Sequence, residues 1–270
     1  AQAIERSFEP RFDRSLGHNV RQAKQVPVLI NYSFGKKRHE KRPDVDDLAL
    51  ITRVEESDIQ YPFPTEPMMF KGEHWGDTWR SGIHAGLTHV HHFYTRRNLQ
   101  VLSAIWYRIR TKKHSPLCDF LFTSTLPWTT RQNRLLMTNY FHKAGGVIAP
   151  NLPGTLYISS VSVETNPLER FRLRVRSAPF TANGSGVAIS CQSSTQLFDL
   201  ATPIFDYIFV DPPFGGNLMY SELNFQVEAW LRLLTNNDSE AIVNKSQHKG
   251  ASEYLMLMES AFTEFYILLK

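Results

Sequence analysis

Residues 208–216 run IFVDPPFGG, a sequence that points to one particular kind of sheet. An apolar stretch, Ile208-Phe209-Val210, ends in the carboxylate of Asp211; two prolines, an aromatic ring and two glycines follow. Strands of a parallel sheet are buried on both faces and read as continuous apolar runs. Ligands of such sheets bind just beyond the carboxyl ends of the strands, which is where Asp211 would stand. Proline fixes φ and biases the residue before it toward extended backbone, so Pro212 and Pro213 form a stiff segment displaying carbonyl acceptors. Phe214 adds a flat apolar surface. A carboxylate, a carbonyl and a ring together suit a planar heterocycle with an exocyclic amine, whose two N–H donors need two acceptors and whose ring needs a stacking surface. The plainer alternative is a strand and tight turn, with Asp211 capping an amide and Phe214 packed in the core.

Outward from this run, the pattern alternates strands with helices. CDFLFTSTL (118–126), TLYISSVSVE (155–164), VAISC (187–191) and YIFV (207–210) read as strands. In ERFRLRVRS (169–177), Arg170, Arg172, Arg174 and Arg176 alternate with apolar residues, so a strand here would set four guanidinium groups on one face. Asn183-Gly184 reads as a turn. Leu99, Leu102, Trp106 and Ile109 recur at helical spacing behind Thr95, a suitable N-cap, and predict a helix over about 96–111. RQNRLLMTNYFHK (131–143) predicts another, broken by Gly145-Gly146. Two more follow, one with Leu223, Val227, Trp230, Leu231 and Leu234 on a face, the other with Tyr254, Met258, Phe262, Phe265 and Leu269. The expected class is α/β, with a largely parallel sheet covered by helices on both faces. Periodicity is weak over residues 1–70, which contain the basic cluster Lys36 to Arg42.

The 270 residues are 42% hydrophobic, enough for a substantial core, and 30 Lys and Arg against 26 Asp and Glu give a net charge of +4. That balance tolerates a polyanionic partner without requiring one. Cys118 and Cys191 are the two cysteines and have no CxxC spacing, which excludes a disulfide framework and a zinc ribbon. No apolar run has the roughly 18 residues that a membrane crossing needs, and the start lacks a signal-peptide core, so a cytoplasmic protein without a membrane partner is expected. His84, His89, His91 and His92 crowd one segment, but with no cysteine or spaced carboxylate nearby they read as rim histidines that hydrogen-bond, and no metal is expected. Trp75, Trp79 and Trp128 read as core or interface residues.

DPPF at 211–214 resembles the [D/N/S]PP[Y/F] signature of amino-methyltransferases that use S-adenosylmethionine to methylate adenine N6 or cytosine N4 in DNA. VDPPFGGNLMYSELNFQVEAWL (210–231), SSTQL (193–197), HHFYTRRNLQVLSAIW (91–106), LINYSFGKKRHEKRPD (29–44) and GTLYISSVSVETNP (154–167) are similar to one bacterial branch of these enzymes. The resemblance implies a Rossmann-like methyltransferase sheet, with 1–90 as an accessory region, partly irregular and basic, and 91–270 as a partial catalytic domain. It implies that Asp211 and the Pro212 carbonyl accept the amino hydrogens of a flipped base, that Phe214 stacks on it, and that Pro213 holds the geometry. It assigns Gln192, Ser193, Ser194 and Asp211 to S-adenosyl-L-methionine. Tyr220 and Glu222 would touch base or cofactor, and Arg170, Arg172, Arg174 and Arg176, with the cluster at 36–42 and Arg96-Arg97, would neutralise phosphates of double-stranded DNA.

The family's FxGxG-type cofactor loop is not matched by Gly145-Gly146, Gly184-x-Gly186 or Gly215-Gly216. The start on Ala1 and the stop at Lys270 inside an amphipathic run therefore lead to the expectation of an incomplete chain whose loop lies upstream. The implied activity is adenine-N6 methylation in a restriction-modification or related defence system. Cytosine-N4 methylation, RNA methylation and a non-catalytic DNA-binding module that lost the loop are the alternatives.

Overall fold

The computed structural model describes residues 6–68, 82–112, 115–178, 186, 190–197, 203–245 and 247–270. Trp75, Trp79, the Asn183-Gly184 turn and most of VAISC lie outside the described residues. Two hairpins come first. β1 (Phe8–Asp13) pairs antiparallel with β2 (His18–Ala23), and β3 (Ile30–Phe34) with β4 (Lys37–Lys41). The second hairpin turns through Gly35 and Lys36, and Gly35 takes the left-handed φ of +60° that a two-residue hairpin turn needs. The basic cluster lies on that turn and on β4.

Helix α1 (Val45–Glu56) starts at Asp44, which accepts from the Asp47 amide while the Asp47 side chain accepts from the Asp44 amide, a reciprocal capping pair. Helix α2 (Arg96–Thr111) follows Thr95, whose side chain accepts from the Asn98 amide, as its spacing predicts. Then come α3 (Pro116–Thr123), α4 (Met137–Phe141), α5 (Pro167–Ser177), α6 (Tyr220–Leu231) and α7 (Ala251–Leu268). A third, minimal sheet joins β5 (Arg134–Leu135) and β6 (Ile148–Ala149).

The parallel α/β sheet expected from the sequence is not formed: the strands among the described residues pair only as three two-stranded antiparallel sheets. A Rossmann-like arrangement is therefore overturned. Three local causes account for it. CDFLFTSTL lies in α3 and the turn after it, because Ser115 and Pro116 start a helix and a short apolar run does not by itself distinguish helix from strand. ERFRLRVRS is helix α5, because Asn166 accepts from the Leu168 and Glu169 amides and Pro167 stands at the first helical position, capping that outweighs the two-residue alternation. YIFV pairs with no strand among the described residues and lies open, with Phe209 81% exposed. Phe205, just before it, makes an isolated parallel bridge to Leu269 after α7. TLYISSVSVE forms no strand: it bends at Ser160 and Val161 and, among the described residues, pairs only through a bridge between Ser162 and Arg134.

The core is aromatic and lies where α2, α3 and α6 meet. Trp106 stacks on Phe122 at 4.7 Å, and Phe122 and Tyr94 both meet Trp230 edge-on, at 5.3 and 5.9 Å. The Trp230 indole donates to the Tyr94 hydroxyl at 3.1 Å, which gives the one polar atom of that ring a partner in an apolar setting. Burying an aromatic of this size removes on the order of 200 Å² from water, roughly 5 kcal/mol before entropy is counted. Leu87, just after the turn at 82–85, and Val90 and Phe93, of the turn at 90–93, join the same cluster and so fix the histidine segment to it. Gly86 lets β2 approach: it has φ +75°, and a Cβ there would lie 2.1 Å from the Arg21 carbonyl oxygen. Among the described residues no helix is long and apolar enough to cross a membrane.

Candidate functional site

Asp13 ends β1, and the four-residue turn Arg14 to Gly17 leads back into β2. Its Oδ1 accepts from the Ser15 and Leu16 amides at 2.8 and 3.1 Å, the habit of an aspartate at the start of a turn. Gly17, at φ +72°, completes the reversal. The other oxygen, Oδ2, is thereby aimed away from the turn. It meets the Nε2 atoms of His91 and His92 at 2.8 and 2.7 Å. These histidines stand on the short 3₁₀ turn Val90–Phe93, which is held because Val90 and Phe93 are wholly buried and His91 and His92 nearly so. Their rings lie 4.4 Å apart, and the His89 ring is 5.1 Å from that of His92.

The Thr88 amide donates to Nδ1 of His92 at 3.2 Å, so the neutral ring carries its proton on Nε2 and donates it to Asp13. Nδ1 of His91 is buried and without a partner. Burial lowers the pKa of all three imidazoles, that of His92 to about 4, because the interior disfavours the charged ring. Burial opposes ionisation of Asp13, yet the two histidine hydrogen bonds and the turn amides together hold its pKa far below the usual carboxylate range. The result is a carboxylate accepting four N–H donors.

Asp13, His91 and His92 offer three ligand atoms within 4.8 Å of one another, a number and type that divalent transition metals accept. The hydrogen bonding argues against that use. A neutral histidine ligating through Nε2 carries its proton on Nδ1, usually donated to an acceptor, whereas Nδ1 of His92 faces the Thr88 amide donor. The triad is built as a hydrogen-bonded pin between hairpin and histidine turn.

A pocket of about 60 Å³ opens over this pin, lined by Arg11, Arg14, Arg96 and Arg131 together with Asp13, His91, His92 and Gln22. Arg131 is 7% exposed. Its Nη1 donates to Gln22 Oε1 and to the His92 carbonyl, both at 3.1 Å, while its Nε has no partner. Burial first, and the field of Arg11 second, push its guanidinium down to about 10. No carboxylate pairs with it among the described residues.

The residues singled out from the sequence lie elsewhere. Asp211 is exposed, and neither its carboxylate nor the Pro212 carbonyl has a hydrogen-bond partner among the described residues. The Pro213 carbonyl accepts from the Tyr254 hydroxyl of α7 at 2.9 Å, and Phe214 is 64% exposed. Gln192, Ser193 and Ser194 lie in an irregular segment in which Ser193 bonds Thr195 at 2.8 Å. This segment is tied to α7 where the Leu197 amide donates to Glu264. The two anchors, Tyr254 and Glu264, are ten residues apart, about 15 Å along the helix.

Tyr220 is partly exposed at the start of α6. Glu222 is 2% exposed, with one oxygen accepting from Asn244 at 2.8 Å, the other unpartnered, and a pKa raised to about 7 by burial. The four arginines expected on one strand face instead occupy two faces of α5. Arg170 lies over the Trp128 ring at 4.5 Å and Arg172 pairs with Glu169 at 2.9 Å. His84 stands apart from the other three histidines and stacks on Tyr157.

No known family, curated protein or solved structure matches the chain. The reading of the sequence missed Asp13, Arg11, Arg14 and Arg131. The carboxylate judged absent from the histidine cluster comes from 78 positions away. A local signal for it exists in the Asp-x-x-x-Gly spacing of DRSLG, which marks a turn but not what the turn touches.

Proposed function

We propose that the chain grips the exocyclic amine of a nucleobase in double-stranded DNA and serves S-adenosyl-L-methionine-dependent methylation of that amine, adenine N6 in the first instance. The observation carrying this reading is the state of the DPPF loop: an exposed carboxylate and a carbonyl with no described partner, followed by an exposed ring. Polar groups held ready on a stiff loop lose little entropy when a ligand arrives. Tyr254 anchors the loop one residue past Pro212, which leaves the Asp211 and Pro212 oxygens as the acceptors on offer. A base amine donating to both would keep its nitrogen lone pair directed outward, and Phe214 would stack on the ring, worth about 1–3 kcal/mol.

S-adenosylmethionine supplies an electrophilic methyl group when bound. Gln192, Ser193, Ser194 and Asp211 are the residues that would hold it, and among the described residues no hydrogen bond joins the first three to Asp211. A second reading is a DNA-binding module without transfer activity.

The test is incubation of the chain with methyl-tritiated S-adenosylmethionine and unmethylated duplex DNA carrying 2-aminopurine at scanned positions. Label in the DNA that is lost in Asp211→Ala supports methyl transfer. A rise in 2-aminopurine fluorescence without label supports the binding module. Neither label nor fluorescence change refutes both.

A further inference from the structure

We propose that the pocket between the β1–β2 hairpin and the 90–93 turn is a binding site for a tetrahedral oxyanion of the phosphate class. The inference is independent of the DPPF loop. Four arginines line the pocket against one acid, Asp13. That carboxylate acts on Arg11 and Arg96 only through space, because both of its oxygens are engaged by the Ser15 and Leu16 amides and by the two imidazoles. Three of the arginines have partial partners at the rim: Arg11 pairs with Glu55, Arg14 with Asp58, and Arg96 donates through Nε to the Ser57 carbonyl at 2.7 Å.

Arg131 differs. It sits at the bottom, buried, with an unpartnered Nε and hydrogen bonds only through Nη1 to neutral acceptors. A buried guanidinium with no ion-paired carboxylate among the described residues, Glu164 acting on it only through space, is expensive, and a planar fork of N–H donors is the group that proteins use for bidentate recognition of phosphate. Gln22 and the His92 carbonyl fix that fork, so it does not have to be ordered on binding. The volume of about 60 Å³ is roughly four times the ~15 Å³ that one water requires, room for a small oxyanion and too little for a nucleobase with its sugar. The phosphate would therefore enter as a terminal or protruding group, either free phosphate, a monoester end, or one phosphate of a nucleic-acid backbone.

The experiment follows thermal unfolding of the full chain in inorganic phosphate against potassium chloride of matched ionic strength. Wild type should gain stability saturably, by about 5–10 °C at one hundred times Kd. Arg131→Met should lose the gain while keeping the wild-type circular dichroism spectrum. Arg14→Gln and Arg96→Gln at the rim, which carry the test if the Arg131 variant does not fold, should each weaken the apparent affinity about tenfold. A phosphate shift no larger than the chloride shift, or a full shift retained in the folded variants, overturns the site. With phosphate bound, displacement by duplex DNA identifies a backbone phosphate as the source, and displacement by a deoxynucleoside monophosphate but not by DNA identifies a free phosphate end.

Discussion

Replacing Glu222 by Gln should make the protein more stable at alkaline pH and leave it nearly unchanged at pH 5. The carboxyl is 2% exposed, and burial raises its pKa from 4.5 to about 7, outweighing the side chains of Asn244 and Gln247, which favour the charged form. The sign follows from linkage. An acid whose folded pKa lies above its unfolded value holds its proton more tightly in the folded chain, so stability is lost as pH rises between about 4.5 and 7. At pH 8 the group is ionised in both states, and the raised pKa costs about 3 kcal/mol; at pH 5 about 1 kcal/mol remains. Glutamine has nearly the same shape and no charge, so the variant's advantage over wild type should grow by about 2–3 kcal/mol between pH 5 and 8. For a chain of this size that is about 5–10 °C in Tm. Thermal melts of both proteins at pH 5, 6, 7 and 8 measure it. Histidines that titrate in the same range are common to both chains and cancel in the difference. A Tm difference that stays flat from pH 5 to 8 would refute the argument, because Glu222 would then be ionised throughout.

Two further substitutions probe the site's frame. Asp13→Ala strips the acceptor from two turn amides and two imidazoles and should cost about 3–5 kcal/mol at pH 7 in urea unfolding. Because the folded pKa of Asp13 is depressed, its contribution is present above pH 3.8 and fades below it, so wild type and variant should converge in acid. Gly86→Ala meets the Arg21 carbonyl in a left-handed backbone and should cost more than about 2 kcal/mol, with loss of phosphate stabilisation as β2 and Gln22 shift; an unchanged midpoint would show that β2 does not press there.

What the sequence reveals and what it hides divide along the range of the interactions. Helix α2 was legible because its N-cap and apolar spacing are local, and α6 and α7 were legible from apolar spacing alone, although Leu234 falls beyond the end of α6 and Leu269 beyond that of α7. Arg170 to Arg176 misled because alternation is a weaker determinant than Asn166 and Pro167 at the helix start. YIFV misled because an apolar run becomes a strand only when neighbours pair with it, and those neighbours are not stated in the run itself. The site was half legible: three of the four marked histidines do gather, but their carboxylate and the arginines around them arrive from the first hairpin and from residue 131, at separations that no local pattern encodes.

The carboxylate at the first hairpin's turn also bears on the order in which the chain assembles. A hairpin of this size closes in roughly 1–10 μs on its own, but its hold on His91 and His92 must wait for a loop of 78 or 79 residues to come together. Closing such a loop costs about 4 kcal/mol plus a constant. If the contact closes after the rate-limiting crossing, Asp13→Ala quickens unfolding and leaves the refolding rate nearly untouched; slowed refolding would instead place the contact in the transition state. In either case one carboxylate clasps together two segments separated by 78 positions of chain.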